Sequence, residues 1–131
     1  MIPLGLKNIF GSIHEVNIDD VTSGYYVRYE EDQKTDFTGL MITNTEDVGI
    51  FIRALNDGSV FNKGKQEIYS SVYVYKHMGL LVGYQSIAEY HKDMDIVVIQ
   101  FNNTTKLDGY KWNLAKIFYA RIVKIIRKRA H

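Results

Sequence analysis

The stretch from Leu114 to Arg129 constrains the fold most, because its residues follow the period of an amphipathic α-helix. At about 100° per residue, one half of the helical wheel is apolar and carries Leu114, Ala115, Phe118, Tyr119, Ile122, Val123, Ile125 and Ile126. The other half is mainly basic and carries Lys116, Arg121, Lys124, Arg127 and Lys128. The pattern predicts a long C-terminal helix near residues 111–129 that packs its apolar face on the rest of the protein.

Charge is divided unevenly along the chain. Residues 109–131 contain seven Lys or Arg and no acid, whereas residues 1–108 contain nine bases and fifteen acids. The formal net charge of +1 therefore combines a body of −6 with a C-terminal segment of +7. Such asymmetry is typical of proteins that recognise a charged partner.

Length and composition limit the class of protein. A chain of 131 residues has the size of one domain and can bury a core without a disulfide or a structural metal. It has no Cys, so disulfide and thiolate chemistry are excluded, and we expect neither a cofactor nor a metal. No stretch approaches the ~20 apolar residues of a membrane-spanning helix, and the start lacks a signal-peptide pattern. We therefore expect a single α+β domain over residues 1–131, located in the cytoplasm.

A short helix is predicted near residues 45–56. Thr43 and Glu46 have the spacing of a capping box, and apolar residues then recur with helical period from Val48 to Leu55. Gly58 supplies a stop signal.

Alternating side chains predict strands in much of the remaining chain. The strongest patterns are a hairpin over Gly24–Thr43, a strand over Gln66–Lys76 and a strand buried on both faces over Asp95–Phe101. Weaker patterns cover Ile13–Ile18 and Leu80–Tyr84, while Tyr84–Lys92 fits a strand or a short helix. We therefore expect an α+β fold with a mainly antiparallel sheet of about five to six strands.

Acidic and tyrosine residues suggest a surface that binds another protein. Residues 15–57 contain ten acids and three bases, and several of these acids surround the predicted hairpin turn. One face of the predicted strand over Gln66–Lys76 is rich in Tyr, a residue type enriched at protein interfaces. The candidate partner-binding residues are Asp19, Asp20, Glu30, Glu31, Asp32, Asp36, Tyr69, Tyr73 and Tyr75. The acids could instead belong to a hairpin turn that their charge keeps soluble, and the tyrosines could cover a second face of the sheet beneath a helix.

Enzymatic motifs are weak. The chain has no nucleophile elbow, phosphate loop or dinucleotide fingerprint. Glu89, His91, Asp93 and Asp95 would point one way as potential metal ligands only if the segment were one continuous strand, and we expect a helix or a turn there. We therefore predict a non-enzymatic module of the immunity or inhibitor kind, which occludes a partner protein such as a basic nuclease toxin.

The C-terminal helix leaves a second hypothesis open. Its basic residues Lys116, Arg121, Lys124, Arg127 and Lys128 could bind nucleic acid or another anionic surface. They could also be a solvated face or lie beside acids of the same chain. An oligomeric assembly and an enzyme whose residues carry no motif are further alternatives.

Overall fold

The computed structural model describes residues 4–28, 30–32, 34, 41–72, 75–106 and 113–130. Within these residues the helices are α1 (Thr45–Asp57), α2 (Lys63–Val72) and α3 (Asn113–Ala130). The strands are β1 (Tyr25–Tyr26), β2 (Lys76–Leu81), β3 (Tyr84–His91), β4 (Ile96–Asn102) and β5 (Thr104–Thr105). Two 3₁₀ turns, Ile13–Glu15 and Ile18–Asp20, precede β1.

The strands form two small sheets. One is antiparallel with the order β2-β3-β4, and the other is a parallel pair of β1 and β5. The prediction of one mainly antiparallel sheet with five to six strands is therefore wrong. Two segments of the predicted sheet are helical or 3₁₀, and β1 pairs in parallel with the distant strand β5.

The predicted strand over Gln66–Lys76 is mostly the helix α2. Asn62 caps this helix, because its side-chain oxygen accepts a hydrogen bond from Lys65 N at 3.0 Å. Gln66 Nε2 donates to Leu55 O at 3.1 Å and so ties α2 to α1. The cap and this tertiary contact outweigh the strand preference of the β-branched and aromatic residues.

The segment before β1 also differs from its strand prediction. Residues 13–20 form 3₁₀ turns, because the side chains of Ser12 and Asn17 accept hydrogen bonds from nearby backbone N–H groups. β1 ends after Tyr26, and Arg28 adopts a left-handed φ of 81°. Most of the predicted return strand of the hairpin, residues 35–40, lies outside the described residues.

The predictions for α1 and β4 agree with the structure. Helix α1 begins one residue later than the capping box suggests, because Asn44 Oδ1 accepts the hydrogen bond from Asp47 N at 2.9 Å. Gly58 ends the helix with a left-handed φ of 85°. The ambiguous segment from Tyr84 is a strand, which pairs with β4 in a register that places Ile87 opposite Gln100.

The three-stranded sheet lies between α1 and α3. Adjacent residues of a strand point to opposite faces, so Val98 and Ile99 of β4 serve different layers. Val98 packs with Ile87, Tyr119 and Val123 in the core beneath α3. On the other face, Gly49 of α1 sits where an added Cβ would lie 3.5 Å from Ile99 Cδ1.

Only part of the apolar half of α3 is covered. Ala115, Tyr119 and Val123 are buried against the sheet, and we call them the buried stripe. Leu114, Phe118, Ile122 and Ile125 are 41–58% exposed, and we call them the exposed stripe. Among the described residues, no helix has the length and apolar character needed to cross a membrane.

Candidate ligand-binding groove

A groove of about 790 Å³ opens beside the ends of β2, β3 and β4. The segment around the second 3₁₀ turn and residues 41–45 form its other sides. The lining residues are Ile13, Asp20, Val21, Thr22, Lys34, Met41, Ile42, Thr43, Asn44, Thr45, Gly79, Leu81, Tyr84, Gln85, Ser86, Phe101, Asn102 and Asn103. The groove therefore brings together residues from distant parts of the sequence.

The walls combine apolar surface with polar groups, of which Asp20 and Lys34 are charged. Leu81, Phe101 and Met41 contribute large side chains, all of them exposed. Ser86 and Asn102 contribute a hydroxyl and a carboxamide, and Asp20 contributes an acid at the exposed end of its 3₁₀ turn. An apolar surface with a few converging polar groups is typical of small-molecule sites.

Hydrogen bonds fix one wall of the groove to the sheet. The hydroxyl of Tyr84 donates to Thr22 O at 2.9 Å, and Asn103 Nδ2 donates to Ser23 O at 3.0 Å. Tyr25 N donates to Asn103 O at 2.7 Å, within the parallel pairing of β1 and β5. The wall around Thr22 is thus held by groups that are 62 and 80 residues away in the sequence.

Gly24 permits a close approach between this wall and the ring of Tyr84. A Cβ added at Gly24 would lie 2.3 Å from Tyr84 Cζ, which is far inside van der Waals contact. We expect Gly24→Ala to displace the Tyr84 ring and to lower the free energy of unfolding by about 1–3 kcal/mol in urea titrations. Gly64→Ala is the matched control, since its added Cβ meets nothing within 4 Å and alanine favours the α2 helix. Equal stability changes for the two variants would contradict this packing.

Asp32 holds the same wall instead of projecting as a free acid. Its Oδ1 accepts hydrogen bonds from Gly24 N and Lys34 N, both at 3.0 Å. Burial alone would raise the pKa of Asp32, but hydrogen bonds from the Ser23 side chain and these two N–H groups outweigh it and lower the pKa. Asp32 is thus a structural residue of the groove rim.

The other predicted acidic residues are dispersed. Asp19 and Asp20 are exposed on the second 3₁₀ turn, and only Asp20 lines the groove. Glu30 and Glu31 are exposed, and Asp36 lies outside the described residues.

The predicted tyrosine face is not formed on one strand. Tyr69 belongs to α2 and packs on Phe61, with ring centroids 5.1 Å apart. Tyr75 precedes β2 and lies 6.2 Å from the ring of Tyr90. Tyr73 falls outside the described part of the chain. Tyr69 and Tyr75 therefore belong to separate local packing arrangements.

The predicted basic residues lie along α3. Lys116 is half-buried, while Arg121, Lys124, Arg127 and Lys128 are exposed. Arg127 Nε lies 3.1 Å from Asp93 Oδ2, and this hydrogen bond lowers the pKa of Asp93. At least one cation of α3 is thus paired with an acid of the same chain.

The alternating set from Glu89 to Asp95 is divided between a strand and a turn. Glu89 and His91 lie on β3, whereas Asp93 and Asp95 follow it. Asp95 accepts hydrogen bonds from Tyr90 and Arg53, which lower its pKa. In the part of the chain that the structure describes, no group of three such side chains could hold a metal ion.

Except for Asp20, the groove residues were not predicted from the sequence, because they follow no local motif. The strand register could have identified part of the site, since Ser86 of β3 lies opposite Phe101 of β4 and both line the groove. A second indication of the site is Gly79 of β2, which pairs with Ser86 across the edge of β3 that faces away from β4. A Cβ at Gly79 would lie 2.7 Å from Ser86 Oγ.

Comparisons with known proteins relate the chain by fold alone. No protein-family model matches it, and no curated protein matches it. Solved structures of the D-amino acid amidase from Ochrobactrum anthropi SV3 have a similar fold. The complex with L-phenylalanine amide has a TM-score of 0.75 at 15% identity, and the complex with L-phenylalanine has 0.77 at 16%. The complex with D-phenylalanine has 0.64 at 18%.

The extent of this match is unequal in the two proteins. The first two comparisons cover 98% of this chain but only 49% and 48% of the amidase chain. The third covers 90% of this chain and 50% of the amidase. The chain therefore spans about half the length of the amidase whose fold it shares.

Proposed function

We propose that the groove binds a small amide or amino-acid derivative with an apolar side chain, as the ligand-binding part of an amidase-like unit. The observation that carries the proposal is the fold match, which extends over 98% of the chain at a TM-score of 0.75. The amidase structures hold phenylalanine amide or phenylalanine, ligands that combine an aromatic ring with polar groups.

The chemistry of the groove suits such a ligand. The exposed ring of Phe101 and the side chain of Leu81 offer contact to an aromatic ring. Ser86 and Asn102 offer hydrogen-bonding groups for a carboxamide, and Asp20 offers a carboxylate for an ammonium group. The volume of about 790 Å³ lies within the usual size of small-molecule pockets.

Binding should be weak. Phenylalanine amide has roughly a dozen non-hydrogen atoms, which at about 0.3 kcal/mol per atom corresponds to a dissociation constant on the order of 1 mM. The match leaves out about half of the amidase, so the readout we choose is binding rather than turnover.

We expect phenylalanine amide to shift the backbone amide NMR signals of Ser86 and Asn102 in a saturable titration. Glycine amide should bind at least about tenfold more weakly, because it lacks the ring that contacts the apolar wall. Phe101→Ala should weaken the binding of phenylalanine amide by about fivefold, through loss of one aromatic contact worth ~1 kcal/mol.

Phe118→Ala is the matched control for Phe101→Ala. Both rings are exposed, at 52% and 41%, but Phe118 lies on α3 and does not line the groove. The control should bind phenylalanine amide like the unchanged protein. The proposal would be overturned if the NMR signals of the groove residues did not change, or if both variants lost the same affinity for phenylalanine amide.

Occlusion of a partner protein is a second proposal, motivated by the exposed carboxylates of Asp19, Glu30 and Glu31. If these acids steer association with a basic partner, the association rate should fall steeply as salt increases. A rate that does not change with salt would contradict this steering.

The hypothesis that α3 binds nucleic acid stays a prediction, which gel retardation at low salt would test. The expectation that the protein is not an enzyme also stays a prediction, which an amidase assay would test.

A further inference from the structure

The exposed stripe of α3 is a large apolar surface on an otherwise strongly basic helix. Leu114, Phe118, Ile122 and Ile125 follow spacings of three and four residues, so their side chains share one face. They lie directly beside the buried stripe, and the two stripes together form one continuous apolar arc. A contiguous exposed apolar patch of this kind is typical of an interaction surface.

Within the described residues, the sheet beneath α3 has three strands. Among the described strands, β2 and β4 each pair with β3 and have no second neighbour in their sheet. Every residue of β2 is exposed. Strands β3 and β4 cover the buried stripe of α3, whereas the residues of the adjoining exposed stripe remain 41–58% exposed among the described residues.

We infer that the exposed stripe of α3 binds an apolar-faced helix with acidic flanks, carried by a polypeptide segment that supplies the remaining half of the amidase-like fold. The match covers 48–50% of the amidase chain, so a complete fold of this kind contains about as much polypeptide again. The inference rests on the fold match behind the proposed function, but it does not depend on amide binding in the groove.

Charge determines the kind of helix that fits. Helix α3 contains six Lys or Arg and no acid. Arg121 follows Phe118 by three positions and Arg129 follows Ile125 by four, so these two cations border the exposed stripe. A second copy of α3 on this face would place basic residues against basic residues, whereas acidic flanks provide complementary charge.

A pair of synthetic peptides tests this inference. The first is an amphipathic helix of about five turns with leucine on one face and glutamate on both flanks. The second has every glutamate replaced by lysine. We expect the acidic peptide to bind at least about tenfold more tightly than the basic peptide in calorimetric titrations at low salt. Its NMR signal changes should lie on the exposed stripe and leave the groove residues unchanged.

Matched variants locate the binding surface. The double substitution Phe118→Asp with Ile122→Asp should weaken binding of the acidic peptide by at least about tenfold. The control double substitution Ile68→Asp with Val72→Asp adds the same charge to exposed positions of α2 and should leave binding unchanged. Thermal unfolding verifies that each variant is folded. Ile125→Ser replaces the first double substitution if that variant unfolds.

The outcomes separate this inference from amide binding. Tight binding of the acidic peptide with loss in the α3 variant supports the inference, whether or not phenylalanine amide binds. Equal binding of both peptides, or signal changes away from the exposed stripe, would overturn it. A dimer of the chain alone that Phe118→Asp dissociates, measured by sedimentation, would also overturn it, because the occupant would then be a second copy.

Discussion

Replacing Tyr119 with alanine is expected to lower the free energy of unfolding by about 4 kcal/mol, which is the largest effect we predict for a single side chain. Tyr119 is 4% exposed and lies in the core between α3 and the sheet, beside Ile87 and Val98. Its hydroxyl donates to Val98 O at 3.0 Å, and His91 Nε2 lies 3.1 Å from the hydroxyl oxygen of Tyr119. Burial also raises the pKa of Tyr119 above its ordinary value, so the hydroxyl remains protonated at alkaline as well as neutral pH.

Tyr119→Phe separates the hydroxyl from the ring. This change keeps the apolar packing but leaves Val98 O without its donor, so we expect a loss of about 1–2 kcal/mol. Phe118→Ala is the control, because its ring is exposed and should contribute about 0.5 kcal/mol or less. Urea denaturation monitored by circular dichroism measures the free energy of unfolding of all three variants. Similar losses for Tyr119→Ala and Phe118→Ala would contradict the orientation of α3 on the sheet.

Asp47→Ala is expected to destabilise the protein by about 3 kcal/mol. The carboxylate of Asp47 is 4% exposed, and its Oδ2 accepts hydrogen bonds from Lys7 N at 2.9 Å and Asn8 N at 2.5 Å. These bonds tie the N-terminal segment to the first turn of α1. Removal of the carboxylate would leave two backbone N–H groups without their acceptor, and hydrogen bonds to charged acceptors are among the stronger ones in proteins.

Glu46→Ala is the matched control for Asp47→Ala. Glu46 precedes Asp47 in the same helical turn, but it is exposed. Its replacement should change the free energy of unfolding by about 0.5 kcal/mol or less in urea. Faster amide hydrogen exchange at Lys7 and Asn8 in Asp47→Ala alone would verify the mechanism. Unchanged exchange in both variants would contradict the link between the N-terminal segment and α1.

Helices α1 and α3 could be predicted because their signals are local. Their apolar residues recur with helical period, and α1 also has start and stop residues around Asn44 and Gly58. The boundaries agree within about two residues, which is the usual uncertainty of helix ends. β4 could be predicted for a similar reason, since a short apolar run is characteristic of a strand covered on both faces.

The sheet arrangement depends on contacts that local patterns do not contain. α2 has a strand-like composition, and its helical state is associated with the Asn62 cap and the hydrogen bond from Gln66 to α1. β1 pairs with β5 across almost eighty residues, in a parallel orientation that a hairpin pattern cannot indicate.

The groove was difficult to predict for the same reason. Its walls come from distant segments, and one of its lining residues, Tyr84, lies so close to Gly24 that an added Cβ there would collide with its ring. Predictions based on charge and tyrosine content instead selected residues such as Asp32, whose carboxylate is occupied by hydrogen bonds to its own chain. Charge composition shows where ionised groups are frequent, but it does not show which of them are already paired.

An isotope-filtered NOE measurement on the protein with phenylalanine amide tests the central claim most directly, because it identifies the side chains that contact the ligand. The proposal predicts NOEs from the phenyl protons of the ligand to the methyl groups of Leu81, Met41 and Ile42, which line the groove. NOEs to the methyl groups of Ile122 and Ile125 on α3, or no intermolecular NOE at saturating ligand, would contradict it.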